Sequence, residues 1–406
     1  MSEALNHLLG FPDLRVECDH FDQDGTLFLE VRPVFPVAVC PDCKTISESL
    51  HDYDERRQVR DCSVWGAPCY LVWRPRRFDC ARCGKPFTEL TSAAEPNRHF
   101  TRRYEQYIFR LCRGSDLSRV ATLEGLSYDE VEGIYLRQGE AELASQHLPP
   151  FRILGIDEIA LKKGHGNFVL VLSAPEQSRV LAVLEDCSQA TLEKWLDQLP
   201  PEQRAAIESV CIDMWEPYSH AIEKKLPHAK IVVDRFHVQK NLNDALTKAR
   251  REVQRQAPDE VREALKGCRW LLVRNREDLT AEQRTQLETA CAACPELKTC
   301  YDLKEEFREL FSLPDRATAE PALQEWQRKV KESGVKAFEP FLTTLNNWGQ
   351  YILNYFDERL SSGFVEGMNN KIKLLKRIAF GFRNFDHFAL WVRIECAPAV
   401  VLPTNS

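Results

Sequence analysis

No stretch of the 406-residue chain is apolar for long enough to span a bilayer. Its first residues do not pair a basic segment with an apolar core. These absences argue against a membrane-spanning helix and give the expectation of no secretory signal and a bacterial-type cytosol. An excess of positive charge is also missing: 54 Lys and Arg stand against 61 Asp and Glu, a net charge of −7. That total speaks only weakly against a nucleic-acid partner, because local patches decide binding more than totals do. Basic residues cluster between Arg98 and Arg119 and again between Lys371 and Arg383.

What is present is an ordinary globular composition, 44% hydrophobic and 28% charged, in a length that suits two or three domains. The 15 cysteines are not ordinary. Disulfides are not expected in a reducing cytosol, so paired CxxC spacings point to metal. Cys40-Pro41-Asp42-Cys43 and Cys80-Ala81-Arg82-Cys83 each place two thiolates on a tight turn, with Gly84 suited to the turn after the second pair. Four such thiolates make a tetrahedral Zn²⁺ site. The alternating stretch between them (Val59, Val64, Tyr70, Val72, Trp73, Phe78) reads as short strands, and residues 1–95 as a zinc-ribbon domain preceded by mixed strands and loops over 1–35. The other reading is buried free thiols. Cys62 and Cys69 are competing ligands without knuckle spacing, and Cys291, Cys294 and Cys300 fall in a helical region where packing is the simpler role.

From Thr101 the apolar period becomes helical, with Tyr104, Ile108 and Leu111 on one face. A short helix bearing Val120 and Ala121, a turn at Gly125, and a second helix capped by Ser127 with Glu130 follow, the last to about Arg137. This is helix-turn-helix grammar over residues 96–150, ending at the linker His147-Leu148-Pro149-Pro150. The acidic first turn of the second helix suits base reading poorly, which leaves a purely structural hairpin as the other reading.

Residues 151–406 open with apolar strands that end in acids. The expected strands are Phe151–Glu158, Asn167–Leu172, Arg179–Leu184, Ser209–Met214 and Lys230–His237, with helices over 189–199 and 217–226. The glycine-bearing link Lys163–Gly166 suits a hairpin. Three antiparallel strands followed by β-α-β crossovers is the order of a ribonuclease-H-like α/β core. In that order strands one and four are neighbours, so Asp157 and Asp213 converge and can share a metal ion. Glu158, Glu185 and Asp186 are lesser candidates, and His237 is either a core histidine or a helper at the site. Residues 239–356 are rich in helix formers and are expected as a long α-helical insertion. Beyond it lies Glu366, followed by Lys371, Lys373, Lys376, Arg377 and Arg383 with no acid before Asp386. A carboxylate beside cations suits a phosphate-bearing partner, with the acid on Mg²⁺ or Mn²⁺ and the cations on DNA backbone.

Together these residues resemble the transposases of ISL3-type insertion sequences, in the DDE class. The motifs are Gly155-Ile156-Asp157-Glu158 with Lys162-Lys163-Gly164-His165; Ile212-Asp213-Met214-Trp215-Glu216-Pro217-Tyr218; Asp234-Arg235-Phe236-His237-Val238; and Glu366-Gly367-Met368-Asn369-Asn370-Lys371 through Lys376-Arg377 and Gly381-Phe382-Arg383-Asn384-Phe385. The likeness covers nearly the whole chain. It implies a catalytic triad of Asp157, Asp213 and Glu366 on Mg²⁺ or Mn²⁺, and an Asp-x-x-His element in Asp234 and His237. It also implies binding of terminal inverted repeats through the N-terminal modules, then strand cleavage and strand transfer. Two ends must be brought together, so a homodimer or higher assembly on DNA is expected, in the cytoplasm at the nucleoid. The readings to be separated from this one are a non-catalytic DNA-binding regulator derived from a transposase and a nuclease without strand transfer.

Overall fold

A computed structural model describes residues 2–161, 168–360, 363–379 and 384–397. Two compact units divide the chain, one running from Met1 to Gln146 and the other beginning at His147.

The first unit opens with a helix, α1 (Ser2–Leu9), where only strands and loops are expected from the sequence. Strands β1 (Leu14–Phe21) and β2 (Leu27–Pro33) follow, then β3 (Ala38–Val39), β4 (Ile46–Ser47), β5 (Leu50–Tyr53), β6 (Arg57–Val64), β7 (Ala67–Trp73), β8 (Arg76–Asp79) and β9 (Pro86–Thr88). The stretch between the CxxC pairs does not stay in one ribbon. β3 and β4 pair, and β5, β8 and β9 form a small sheet, but the hairpin β6–β7 joins β1 and β2 in a four-stranded sheet of order β1-β2-β7-β6. The reason is burial: Val59, Leu71 and Trp73 pack with Val16, Leu29 and Val31 in one core, while Cys40, Phe78, Cys80 and Phe87 make another.

Helices α2 (Arg102–Cys112), α3 (Leu117–Glu124) and α4 (Tyr128–Ser145) complete the unit. Thr101 caps α2 and Asp116 caps α3. Gly125 ends α3 in the left-handed conformation (φ 64°), which glycine adopts without a Cβ penalty. The capping box of Ser127 and Glu130 starts α4. This helix runs to Ser145, well past Arg137, because Gly139 falls on its buried face where packing replaces propensity. Strand β6 seats the helices: Arg60 lies over the Tyr104 ring at 5.1 Å, and buried Asp61 accepts from Thr101 Oγ1 at 2.7 Å and pairs with Arg103.

The second unit is built on a five-stranded sheet of β10 (Ile153–Ala160), β11 (Phe168–Ala174), β12 (Arg179–Leu184), β13 (Ser209–Ile212) and β14 (Lys230–Val233), in the order β12-β11-β10-β13-β14. β10, β11 and β12 pair antiparallel, whereas β13 lies parallel to both β10 and β14. The crossovers carry α5 (Gln189–Gln198), α6 (Pro201–Ala206) and α7 (Glu216–Lys225). Four of the expected strand ends move: β11 runs on to Ala174, β13 stops at Ile212 just before Asp213, and the other two change where site residues sit. β10 continues to Ala160, so Asp157 sits within a strand. β14 stops at Val233, because Asp234 accepts from the Phe236 amide and caps α8 (Arg235–Gln256), leaving His237 in the first turn of a helix. The expected hairpin link, Lys163–Gly166, lies outside the described residues.

α8 leads directly into α9 (Asp259–Ala264), α10 (Arg269–Val273), α11 (Ala281–Ala293), α12 (Pro295–Leu310), α13 (Arg316–Ser333), α14 (Glu339–Leu353) and α15 (Tyr355–Glu358). The helical block therefore starts four residues earlier than its composition suggests. Its core centres on Trp326, which is fully buried, donates from Nε1 to the Leu303 carbonyl at 2.8 Å, and meets the rings of Phe307 and Phe341 edge-on at 4.8 and 5.7 Å. Cys291, Cys294 and Cys300 are buried among these helices. Finally α16 (Gly363–Ile378) and α17 (Phe385–Glu395) cover the opposite face of the sheet, with Ile372, Leu375, Phe388 and Val392 against Ile159, Val169, Val171 and Val183.

Trp326→Ala removes a large buried side chain and its hydrogen bond. It should cost about 3–5 kcal/mol of stability, read as a lowered urea midpoint for the helical signal. An unchanged midpoint would mean that the helical block does not depend on this aromatic cluster.

Candidate functional site

Two groups among the described residues could hold a metal ion: Cys40, Cys43, Cys80 and Cys83, and Asp157, Asp213 and His237.

The thiol group is built by two near-identical turns. In each, the first cysteine's carbonyl accepts an N–H from the residue after the second cysteine: Lys44 at 3.0 Å and Gly84 at 2.8 Å. Both of those residues are left-handed, at φ 61° and 65°. Gly84 is legible as a turn residue, whereas Lys44 takes the same conformation with a side chain. The sulfurs face one another across the pairs, Cys43 Sγ–Cys80 Sγ at 3.4 Å and Cys40 Sγ–Cys83 Sγ at 4.0 Å. Tetrahedral Zn–S bonds of about 2.3 Å need sulfurs about 3.8 Å apart, so the set fits the ion. Hydrogen bonding with Thr45 lowers the Cys43 thiol to about 6, while its thiol neighbours, Cys43 foremost, push Cys83 up to about 12. Cys43 is thus the thiol best prepared to lose its proton, and zinc binding takes Cys83 to the thiolate as well. Cys62 and Cys69 stand outside the group. Cys69 is core, and burial raises its thiol to about 12. Burial does the same to Cys291 and Cys300, at about 11 and 12, and these too lie outside any four-ligand group among the described residues.

The carboxylate group follows from strand register. β10 pairs with β13 as Ile153↔Ser209, Leu154↔Val210 and Gly155↔Cys211. Continuing each chain by two residues sets Asp157 opposite Asp213. α8 adds His237, whose Nε2 lies 2.9 Å from Asp213 Oδ1 and 3.8 Å from Asp234 Oδ2. Asp234 is buried and commits its other oxygen to the Phe236 amide at 2.9 Å, so it anchors the turn that aims His237. Burial, then the neighbouring Asp213, raises Asp157 from 3.8 to about 6. At His237 burial opposes the charged ring. The hydrogen bond and charge of Asp213, with Asp234 and Asp157 behind it, outweigh that and hold its pKa above the ordinary value. Carboxylate oxygens suit a hard divalent ion such as Mg²⁺ or Mn²⁺.

Glu366 is not in this cluster. It lies exposed in the first turn of α16. The residue that α16 brings to the acids is Asn369, one turn further on, whose Nδ2 donates to Asp157 Oδ2. Asn369 falls on the buried stripe with Ile372 and Leu375. An amide at a stripe position is the signal that the sequence offers for it. Glu158 is also engaged: its carboxylate accepts from the buried Tyr218 hydroxyl and lines a cleft with Asp213, Met214, Trp215, His237 and Lys240. Glu185 is exposed, and Asp186 accepts from the Ser188 amide and the Thr191 hydroxyl just ahead of α5, which Ser188 caps. In the basic run, Lys371 Nζ donates to the Glu395 carbonyl and Lys376 Nζ to the Ala160 carbonyl, whereas Lys373 and Arg377 are exposed. Arg383, with Gly381 and Phe382, lies outside the described residues, as does Lys162-Lys163-Gly164-His165.

Comparison with known proteins follows this order along the chain. Residues 36–83 match the zinc-finger of transposases IS204, IS1001, IS1096 and IS1165. Residues 89–139 match the helix-turn-helix domain of transposase family ISL3, and residues 154–392 the ISL3 DDE family described as "Transposase". The chain is 30% identical over 396 residues to the transposase for insertion sequence element IS1001 of Bordetella parapertussis, covering 97% of each. It is 27% identical over 399 residues to the transposase for insertion sequence element IS1557 of Mycobacterium tuberculosis, covering 92% of this chain and 89% of that one. A four-thiol knuckle pair, a helix-turn-helix and an acid-bearing α/β sheet, in that order, define a DNA transposase. The chain belongs to the ISL3 family of insertion-sequence transposases. No helix among the described residues is long and apolar enough to cross a membrane.

Two outcomes are expected. Purified protein carries about one Zn²⁺ per chain, and Cys43→Ser with Cys80→Ser abolishes it, as read by metal analysis. Zinc-free wild type that has never met a chelator would refute the site. The second concerns Asp157. Its folded pKa lies above its unfolded value, so its contribution to stability is complete below about pH 4 and is lost as pH rises through about 6. In Mg²⁺-free buffer, Asp157→Asn should therefore gain on wild type between pH 5 and 7.5, by about 1.4 kcal/mol, in urea titrations. A constant difference across that range would rule out the raised carboxyl.

Proposed function

We propose that this transposase binds the terminal inverted repeats of its insertion sequence, cuts them by metal-dependent phosphoryl transfer, and joins the freed 3′-hydroxyls to target DNA. The observation that carries this is the register of β10 and β13, which brings Asp157 and Asp213 together with His237, their ligand atoms within 4.8 Å of one another. The sheet order supports a ribonuclease-H-like core with a helical insertion. Its neighbours are a zinc-ribbon domain at residues 1–95 and a helix-turn-helix at 96–150, in front of a catalytic domain at 151–406.

Divalent ions bound there supply a lowered pKa for water and charge neutralisation at the leaving oxygen. The chain's own residues do the rest. Asp157 and Asp213 fix where the ions sit. His237, oriented by Asp213 and Asp234, holds a proton beside the scissile phosphate. Glu366 closes the site from α16, and its placement one turn from Asn369 supports that role. Exposed Lys373 and Arg377 contact DNA backbone, with Lys371, Lys376 and Arg383 completing the basic run. The zinc ribbon and helix-turn-helix recognise the repeats. Two ends must meet, so the active form is a homodimer or larger on DNA, working in the cytoplasm at the nucleoid.

Labelled repeat ends incubated with protein and Mg²⁺ or Mn²⁺ test this. Wild type should cut at the repeat ends and give joined products. Asp213→Asn and Glu366→Gln should lose at least 10³-fold in cleavage (about 4 kcal/mol) and still bind the repeats. Cleavage without joining would leave a nuclease, binding without cleavage by wild type a DNA-binding regulator, and cleavage surviving in Asp213→Asn would remove the triad.

A further inference from the structure

Helix α16 enters the acid pair through Asn369, and the state of that amide is unusual. We propose that Asn369 is a further ligand of the cation site: its amide covers Asp157 while no ion is bound, and turns its carbonyl oxygen to the ion when one is. The inference rests on the reading that Asp157 and Asp213 hold a divalent cation.

Four observations converge on it. Asn369 is 6% exposed and shares its stripe with Ile372 and Leu375. A polar group there costs free energy unless it is hydrogen-bonded. Only half of the amide is satisfied, because Nδ2 donates to Asp157 Oδ2 while Oδ1 is buried with no partner. That carbonyl oxygen is an uncommitted acceptor, so it can serve a cation without breaking a bond of its own. The two oxygens of Asp157 are not equivalent, either. Oδ1 takes the Glu158 backbone N–H at 2.7 Å, a donor fixed by the strand, whereas Oδ2 takes the Asn369 amide, a donor that rotates. Oδ2 is therefore the oxygen whose donor can move aside for a cation, and Asn369 is that donor. A half-turn about the last side-chain torsion, which is broad and two-fold for Asn, exchanges N–H for oxygen at the same place. Lastly, the chemistry fits: a side-chain amide oxygen is a hard, neutral ligand for Mg²⁺ or Mn²⁺. It adds no charge to a pair of acids that already repel.

A role confined to propping Asp157 makes a different prediction, and substitution at this position separates the two. Mn²⁺ binding to the full-length, zinc-loaded protein without DNA would be followed by the paramagnetic resonance of the free ion. Asn369→Ala and Asn369→Leu should weaken Mn²⁺ about tenfold, with zinc content and melting temperature as folding controls. Leu fills the stripe and protects the fold if Ala does not. Asn369→Asp should bind Mn²⁺ at least as tightly as wild type, because it keeps an oxygen ligand. Were Asn369 only a donor that holds Asp157, its removal would leave both acids free to take the ion, and Asn369→Leu would bind Mn²⁺ within twofold of wild type. Affinity within twofold of wild type in the Leu variant, or weakened binding in the Asp variant, overturns the proposal while Asp213→Asn still abolishes binding. If Asp213→Asn itself binds Mn²⁺ like wild type, the cation site at the acid pair falls, and this proposal with it.

Discussion

Two carboxylates on neighbouring strands repel each other, and the second unit depends on a sheet that holds them together all the same. The parallel pairing of β10 and β13 is the constraint. Asp157 and Asp213 continue a register fixed by Ile153, Leu154 and Gly155, so separating the acids means breaking the centre of the sheet. The apolar layers on both faces keep that centre closed. Around the pair stand groups that lower its cost: the Glu158 amide, the Asn369 amide and His237. The first belongs to β10 itself, and the helices that bring the other two, α16 and α8, are located by packing against the same sheet. Burial, and after it the charge of Asp213, still holds the Asp157 carboxyl above its ordinary range.

Much of this is legible in the amino-acid sequence alone. Cysteine spacing points to the knuckles, because ligation is local and two residues between thiols suffice for the turn. The acids are legible because strand order determines which strand ends are neighbours. The boundaries are less so, and particular residues show why. Phe236 extends the apolar run Ile231-Val232-Val233 and reads as strand, yet it is 53% exposed. Its amide caps on Asp234, and the chain is already helical there. The hairpin β6–β7 alternates as any ribbon strand would, and nothing local says that its partner is β2 rather than β8. Asn369 is hidden for a third reason. As one of two adjacent amides in an amphipathic helix it reads as an edge of the polar face; its place on the stripe of Ile372 and Leu375 hints inward, and the contact with Asp157 shows what it meets there.

The basic run teaches a related lesson about charge. Lys371 and Lys376 look like neighbours of Lys373 and Arg377 in sequence, but helical spacing sends them to carbonyls of α17 and β10. Half of an electrostatic patch is thereby used to fasten α16 in place. The helix that carries Glu366 is held by cations as well as by its apolar stripe.

The hairpin β6–β7 lies between Cys43 and Cys80, which are 37 residues apart, and supplies half of a sheet in which neither cysteine takes part. An ion across the knuckles is thus a cross-link on that hairpin's ends, and it shrinks the range of conformations the hairpin can explore when detached. β6 in turn carries Arg60 and Asp61, which seat Tyr104, Thr101 and Arg103 of the helical module. Zinc bound at the knuckles would therefore be felt at the helix-turn-helix through one strand. Loosening the knuckles would weaken the seat of those helices, although all four thiols lie in turns outside them.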